Sequence, residues 1–175
     1  MDSMNVAIIP ARGGSRRIPR KNVRQFRGKS MLCYPIEAAK ASKLFQLIVV
    51  STDDYEIEQV ALEAGAVVMR RATDDGTKGT QEIARNVLLQ LPRAHFACVI
   101  YPCSPLLLAV DLVRGVHALQ GYQYAMSVDS AGVDAGCFYW GDSYAFRNDV
   151  PLDAPHTARV RMPPERCIDI NTFED

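Results

Sequence analysis

The sequence predicts an α/β protein in which a mostly parallel sheet is covered by helices on both faces, a three-layer arrangement. Short apolar segments rich in β-branched residues alternate with segments of helical periodicity over residues 5–128. Such alternation produces parallel strands joined by crossover helices, with the sheet buried on both sides. The 175 residues, 48% of them hydrophobic, suit one globular domain with a substantial core.

The predicted strands are short runs with little polar content. They cover residues 5–10, 45–51, 66–69, 96–101, 122–128, 136–141 and 166–171. The helices are predicted from their periodicity, which is clearest where Ile83, Val87 and Leu91 fall on one helical face. They cover residues 30–42, with Ser30 as N-cap, then 55–64, 80–91 and 109–120, and a helical turn is predicted at 142–146.

A basic, glycine-containing segment follows the first strand. Lysine and arginine together number 20, as do aspartate and glutamate, so total charge gives no reason to expect binding to DNA or to a membrane. Eight of the 20 cations nevertheless lie between Ser3 and Ile36, where no acidic residue occurs. This clustering indicates a local anion site.

Residues 11–22, ARGGSRRIPRKN, match neither the GxxxxGKS/T phosphate loop nor the GxGxxG dinucleotide motif. Gly13 and Gly14 still let consecutive backbone N–H groups turn toward an anion. Arg12, Arg16 and Lys21 would neutralise phosphate charge. The alternatives are a solvated basic loop and an RNA-contacting arm, the latter disfavoured because interleaved aromatic residues are lacking.

Three loops are predicted to share one edge of the sheet, where ligands bind beyond the carboxyl ends of parallel strands. They are residues 11–22, 51–54 and 101–105. The acidic pair in STDD (51–54) suits helix capping more than metal binding, because it directly precedes a helix. Asp169 and Asn171 alternate along the last predicted strand and would face one side, an arrangement that suits Mg²⁺.

The remaining composition is typical of a reduced cytoplasmic protein. The five cysteines form no CxxC pair, and their odd number argues against a disulfide framework. No apolar stretch approaches the roughly 20 residues of a membrane-spanning helix. Residues 1–5 lack the basic and apolar regions of a signal peptide. The three histidines belong to no zinc-binding pattern.

Five segments lie in order along nearly the whole chain: IIPARGGSRRIPRKN (8–22), VVSTDD (49–54), YPCSPLL (101–107), DAGCFYWG (134–141) and DINTFED (169–175). Together they resemble the CMP-nonulosonate synthetases, the family of CMP-sialic acid synthetase. The DAGCFYWG segment is most similar to the pseudaminic acid branch of that family.

The resemblance implies a Rossmann-like nucleotidyltransferase fold of the nucleotide-diphospho-sugar transferase type. It implies transfer of CMP from CTP to the anomeric hydroxyl of a nine-carbon 2-keto acid sugar, with Mg²⁺ as cofactor and pyrophosphate as the second product. It further implies a homodimer that takes part in cell-surface glycan synthesis, such as flagellin glycosylation.

The resemblance also assigns roles to particular residues. The expected catalytic residues are Arg12, Lys21 and Asp169, and the expected metal ligands are Asp169 and Asn171. Arg17 and Arg20 are expected only to solvate the loop. The expected nucleotide-binding residues are Ala11, Arg12, Gly13, Gly14, Ser15, Arg16, Lys21, Asn22 and Arg70 or Arg71. The expected sugar-binding residues are Tyr101, Cys103, Ser104, Phe138 and Tyr139.

Two departures from the family pattern stand out. Asn171 replaces the second aspartate of the family's metal-binding D-I-D, which removes one negative charge. The family also carries a long segment for sugar contacts and dimerisation where this chain has only residues 128–134. That segment is either deleted or left out of this sequence, and the stop at Asp175, where relatives continue, favours the second.

Two further functions stay open at this point. One is a CTP-binding module whose catalysis is impaired by the short connection near residues 128–134. The other is an RNA-binding protein that uses the basic run at 12–29.

Overall fold

The computed structural model describes residues 4–73, 76–168 and 170–172, and it confirms the predicted α/β class. Seven strands form one sheet, and β2 and β3 form a separate antiparallel ribbon. The strands are β1 (Met4–Pro10), β2 (Gln25–Phe26), β3 (Lys29–Ser30), β4 (Leu47–Thr52), β5 (Val67–Arg70), β6 (Ala94–Ile100), β7 (Tyr124–Val128), β8 (Asp134–Asp142) and β9 (Thr157–Arg161).

The large sheet has the order β5-β4-β1-β6-β8-β7-β9. All neighbouring strands are parallel except β8, which is antiparallel to both β6 and β7. The adjacent strands β4, β1 and β6 therefore end at the same edge. The three loops predicted to share an edge follow these strands, so that prediction is confirmed.

Helices cover both faces of the sheet and complete the three predicted layers. Alternate residues of β1 point to opposite sides, with Ile9 in one hydrophobic cluster and Ile8 in the other. The first cluster contains residues of α1, α2 and α4, and the second contains residues of α3 and α5. The helices are α1 (Cys33–Ser42), α2 (Tyr55–Glu63), α3 (Thr80–Leu89), α4 (Ala109–Ala118) and α5 (Ser143–Arg147).

Helix α4 lies very close to the sheet. A Cβ added at Gly115 would lie 2.5 Å from the Trp140 ring and 2.7 Å from the Phe138 ring, so only glycine fits. The indole Nε1 of fully buried Trp140 donates a hydrogen bond to the carbonyl oxygen of Leu112 at 3.1 Å. These contacts seat α4 rigidly on β8.

The structure differs from the sequence-based prediction in several places, one of which is the unpredicted ribbon of β2 and β3. The first long helix begins at Cys33 with Leu32 as N-cap, because Ser30 belongs to β3. The strand predicted at 166–171 is absent from the described residues of that range, where a 3-10 turn, Pro164–Arg166, is followed by irregular backbone. The edge strand β9 was missed because arginines interrupt its apolar pattern, although it pairs in parallel with β7.

The short connection between β7 and β8 is a closed turn. Asp129 donates its backbone N–H to the carbonyl oxygen of Val133 at 2.8 Å. Its Oδ1 accepts hydrogen bonds from the backbone N–H of Ala131 at 2.8 Å and of Val133 at 2.9 Å. Side-chain bonds of this kind stabilise tight turns. The two strands are thus joined directly, without a further segment between them.

Within the described part of the chain, every helix is too short or too polar to cross a membrane.

Candidate active site

A cavity of about 420 Å³ opens at the carboxyl ends of β1 and β6. Its lining combines the basic loop after β1, the segment that leads into α3, the loop after β6 and the C-terminal segment. None of the described lining residues is acidic, so the cavity is suited to a strongly anionic ligand. Six cationic side chains line it: Arg12, Arg16, Arg17, Lys21, Arg71 and Lys78.

The glycine turn of the basic loop is held by the loop after β4. The backbone N–H of Gly13 donates to Oδ1 of Asp53 at 2.9 Å. A Cβ at Gly13 would lie 2.5 Å from Oδ2 and 2.9 Å from Cβ of Asp54, so a larger residue would push the loop away. Asp53 and Asp54 therefore hold the basic loop in place, and neither of them lines the cavity.

Asp54 is the N-cap of α2, which confirms capping as its role. Its Oδ1 accepts from the backbone N–H of Ile57 at 3.1 Å. The Arg20 guanidinium donates to both oxygens of Asp54, at 2.6 and 2.9 Å, and also contacts Glu56. The hydrogen bonds from Arg20 lower the pKa of the Asp54 carboxyl below its usual value.

Asp54→Ala is expected to lower the free energy of unfolding by about 1 kcal/mol, whereas Asp54→Asn keeps a good N-cap and costs less. Because the folded-state pKa of Asp54 is lowered, its stabilisation is complete above the unfolded value of about 3.9 and is lost as the pH falls through the folded value. Urea unfolding at pH 7 and pH 3 measures both effects. Equal losses for the two variants at pH 7 would contradict the capping role.

Asn22 joins the basic loop to the opposite cavity wall. It is 4% exposed, and its Nδ2 donates to the carbonyl oxygen of Arg12 at 2.9 Å. Its Oδ1 accepts from the Cys103 thiol at 3.2 Å. The backbone carrying Arg12 is thereby fixed relative to the loop after β6.

The cations of the loop have different partners. Lys21 Nζ donates to the carbonyl oxygen of Ile170 at 2.5 Å, and Arg17 Nη2 donates to Oδ1 of Asn171 at 2.7 Å. Both contacts bridge the loop to the C-terminal segment. Arg17 therefore lines the cavity, contrary to the expectation that it only solvates the loop. Arg20, in contrast, is directed toward α2.

The guanidinium of Arg12 packs directly on Gly76. A Cβ at Gly76 would collide with it, and the φ of +91° at Gly76 also disfavours any side chain. The glycine thus makes room for Arg12 at the cavity wall.

The two consecutive arginines at the end of β5, Arg70 within the strand and Arg71 just after it, point in different directions. Arg71 lines the cavity, and its backbone N–H donates to the carbonyl oxygen of Thr52 at 2.9 Å. Arg70 lies 3.3 Å from Glu58 of α2 through Nη1, and its side chain is 54% exposed. The sequence left open whether Arg70 or Arg71 reaches the nucleotide site, and it is Arg71 that lies at the cavity.

Two of the five predicted sugar-binding residues line the cavity, namely Tyr101 and Cys103. Tyr139 stands behind Tyr101, with their ring centroids 5.7 Å apart, and is 5% exposed. Ser104 and Phe138 are fully buried and lie outside the cavity lining. Cys103 is itself only 1% exposed, so Tyr101 is the most accessible of the five side chains at the cavity.

Tyr101 is braced from both sides. Its hydroxyl and that of Thr80, the first residue of α3, are hydrogen-bonded at 2.5 Å. Tyr139, behind it, donates its hydroxyl to Oδ2 of Asp134 at 2.7 Å. This bracing gives the wall of the cavity a defined aromatic surface.

The predicted metal ligands fit a divalent cation only in part. Asp169 lies outside the described residues. Asn171 reaches the cavity, but its Oδ1 accepts from Arg17. The described residues contain no group of three or more His, Cys, Asp or Glu side chains placed to hold a metal ion. The oxygen donors suit Mg²⁺ when phosphate oxygens complete its coordination, since this ion takes few protein ligands.

Several lining residues were missed by the sequence reading, among them Lys78, Thr80 and Ile83. Lys78 lies just before α3, and Thr80 and Ile83 lie in its first turn, after a loop that contains Gly76 and Gly79. A lysine and two glycines directly before a helix are the available signal, because helix N-termini favour anions.

Comparison with known proteins places these features in a family context. The sequence matches the family model described as cytidylyltransferase over residues 6–137. It is 31% identical to the pseudaminic acid cytidylyltransferase of Campylobacter jejuni, over 98% of this chain and 92% of the relative. That alignment spans 214 positions, more than the 175 residues of this chain, so part of the relative has no counterpart here.

Two solved structures share the fold. The CMP:2-keto-3-deoxy-manno-octonic acid synthetase in complex with CTP has a TM-score of 0.78 at 15% identity, covering 97% of this chain and 94% of that one. The manganese complex of Rv0371c from Mycobacterium tuberculosis has a TM-score of 0.76 at 15% identity, covering 99% and 96%. These similarities confirm the predicted Rossmann-like nucleotidyltransferase fold.

Proposed function

Because the chain belongs to the cytidylyltransferase family, we propose that it transfers CMP from CTP to the anomeric hydroxyl of a nonulosonic acid, pseudaminic acid or a close relative. The observation that carries this proposal is the cavity lined by six cations at the carboxyl ends of β1 and β6, which suits a triphosphate. The resemblance over 98% of the chain to a pseudaminic acid cytidylyltransferase supports the acceptor.

The reaction forms a bond between the sugar oxygen and the α-phosphorus of CTP. The bond from the α-phosphorus to the oxygen bridging to the β-phosphorus breaks, and pyrophosphate leaves with its electron pair. The hydroxyl proton is released to solvent. Such transfers depend mainly on alignment of the reacting groups and on neutralisation of charge on the leaving group.

Arg12 and Lys21 are the residues we assign to that neutralisation. Both line the cavity from the glycine loop, and both are anchored, Arg12 by packing on Gly76 and Lys21 by the carbonyl oxygen of Ile170. Cations held in place before the reaction stabilise developing charge without reorganisation. We assign Arg16, Arg17 and the backbone N–H of Gly14 to the same phosphate chain. The backbone N–H of Gly13, which was expected to share this role, donates to Asp53 instead.

Mg²⁺ is the cation we propose for the site, where it would neutralise phosphate charge. Asp169 and Asn171 are the residues that would hold it. Since the aspartate is the only carboxylate of this pair, most of the protein's contribution to binding the ion would fall on Asp169.

Arg71→Ala is expected to raise the KM for CTP at least tenfold and to weaken discrimination between CTP and UTP, because Arg71 is proposed to read the base. Arg70→Ala is the matched control, since Arg70 lies beside Glu58 and does not line the cavity. Removing one hydrogen bond to a bound polar group costs about 1–3 kcal/mol, which corresponds to this size of effect. Steady-state kinetics with both nucleotides measures it. An equal change in both variants would refute the assignment.

The proposed activity is tested by incubating the protein with CTP, Mg²⁺ and a panel of nonulosonic acids while pyrophosphate is followed. Release with pseudaminic acid, and less with legionaminic or sialic acid, is the expected result. CTP-dependent thermal stabilisation without release for any acceptor would instead favour a binding module without catalysis. Salt-sensitive RNA binding that CTP does not displace would favour the RNA alternative.

The assembly and location are proposed on the same basis. CTP is a cytoplasmic metabolite, so we place the reaction in the cytoplasm. A homodimer stays a prediction, because the short turn at 129–133 stands where the resemblance implies a dimer-forming segment.

A further inference from the structure

Asp111 is a fully buried carboxylate outside the cavity. It is the third residue of α4, and its side chain is 0% exposed. Its Oδ2 accepts from the backbone N–H of Leu108 at 3.1 Å and from Nε of Arg166 at 3.0 Å, while its Oδ1 accepts from Nη2 of Arg166 at 3.0 Å. Burying a charge is costly unless it is paired and hydrogen-bonded, so Arg166 is held firmly against the start of α4.

Arg166 is the last residue of a 3-10 turn from which the C-terminal segment leaves toward the cavity. The described residues 167–168 and 170–172 have no regular secondary structure, so no strand ladder positions them. Single contacts position them instead. The backbone N–H of Ile170 donates to the carbonyl oxygen of Cys103 at 3.0 Å, and Lys21 and Arg17 reach Ile170 and Asn171 from the basic loop.

The C-terminal segment is held at two points, by Cys103 through Ile170 and by Asp111 through Arg166, and both partners lie in one continuous stretch of chain. Cys103 lies in the loop after β6 that lines the cavity, and Asp111 lies in the helix that this loop enters. A bidentate contact fixes the orientation of a guanidinium as well as its position. The Asp111–Arg166 pair therefore sets the direction in which the chain leaves toward Asn171.

We propose that Arg166, held by Asp111, is a positioning residue for the transfer reaction, because it places the segment that Lys21 and Arg17 contact at the cavity. The expected loss of kcat rests on the proposed function, whereas the placement of the C-terminal segment by Arg166 does not. Among the described residues, the pair contacts none of the cavity-lining cations directly, so it acts through the backbone of residues 167–168 and 170–172.

The proposal predicts a split between catalysis and nucleotide binding. Loss of the pair would shift the backbone partner of Lys21, and an error of about 1 Å in such a group can cost about a hundredfold in rate. The glycine turn would keep its place, because Asp53 holds Gly13 independently. We therefore expect a lower kcat with little change in the KM for CTP.

The test compares Arg166→Met with Arg159→Met. Arg159 is a matched control because it also pairs with an aspartate, Asp153 at 2.6 Å, but lies on edge strand β9 away from the cavity. Arg166→Met is expected to lower kcat at least tenfold, to leave the KM for CTP within about twofold, and to speed hydrogen exchange at the Ile170 amide. Arg159→Met is expected to change none of these.

A second pair of variants separates positioning from general destabilisation. Arg166→Lys keeps the charge but loses the bidentate geometry, so we expect it to fold and to show a smaller loss of kcat. The double variant Asp111→Asn, Arg166→Met is expected to lose less kcat, on a logarithmic scale, than the sum of the losses in the two single variants. All rates are measured well below the melting temperature of each variant.

Three results would overturn the inference: an unchanged kcat in folded Arg166→Met, an unchanged exchange rate at the Ile170 amide, or equal effects in Arg159→Met. Failure of the proposed function is distinguishable, since wild-type protein would then release no pyrophosphate. The exchange measurement would still test the positioning role in that case.

Discussion

Arg12→Ala is expected to lower kcat by about a hundredfold to a thousandfold, the usual effect of removing one fixed donor that stabilises developing charge. Arg12 lines the cavity, and among the described residues its guanidinium packs against Gly76 rather than against an acidic side chain. Its charge is therefore directed at the ligand. The melting temperature should change little, because the loop backbone is held by Asn22 and Asp53.

The matched control is Arg24→Ala, which removes an exposed arginine of the same basic run that does not line the cavity. Pyrophosphate release at saturating CTP, together with thermal melts of both variants, measures the effect. Normal turnover in folded Arg12→Ala would contradict the phosphate role. A similar loss in Arg24→Ala would show that the general charge of the run matters more than the position of Arg12.

Lys21→Met is the second large effect, and we expect kcat to fall by at least about a hundredfold. The ammonium lies at the cavity, 2.5 Å from the carbonyl oxygen of Ile170. Methionine keeps much of the apolar stem, but it removes the positive charge that would neutralise the leaving pyrophosphate and the contact with the C-terminal segment. Both losses act on the chemical step, so kcat should fall more than the affinity for CTP.

Lys29→Met is the control for Lys21→Met. Lys29 pairs with Glu37 at 2.5 Å and lies 4.7 Å from the ring centroid of Tyr34, away from the cavity. Single-turnover rates at saturating CTP, combined with equilibrium CTP binding, separate chemistry from binding. A loss of CTP binding with an unchanged single-turnover rate would move Lys21 from catalysis to ground-state binding.

Much of the fold was predictable because its signals are local. The longer strands and helices up to β8 follow from hydrophobic periodicity, whereas the two-residue strands β2 and β3 were not predicted. Asp54 caps α2, as its position before a helix indicates. The failures lie where local signals are weak. Strand β9 forms because it pairs with β7, although its arginines hide the apolar pattern of a strand. Residues 166–171 have the local composition of a strand, but the described residues of this range pair with no other strand.

The candidate site was predictable as a set of loops but not as a set of side chains. The basic loop and the loop after β6 were expected at one edge, and both line the cavity. Which cations face the ligand was not predictable, since Arg17 and Arg20 are three residues apart in one loop. Arg17 donates a hydrogen bond to Asn171 at the cavity, whereas Arg20 donates to Asp54 at the start of α2.

The sequence by itself determined the α/β class, the edge where the site lies and the chemical character of that edge, because periodicity and residue type are properties of the chain alone. Only the tertiary structure decided that Arg71 rather than Arg70 reaches the cavity, that Phe138 belongs to the core, and that Asp111 holds Arg166. Each of these depends on partners distant along the chain. Long-range contacts decide which way a side chain points, and no local pattern encodes them.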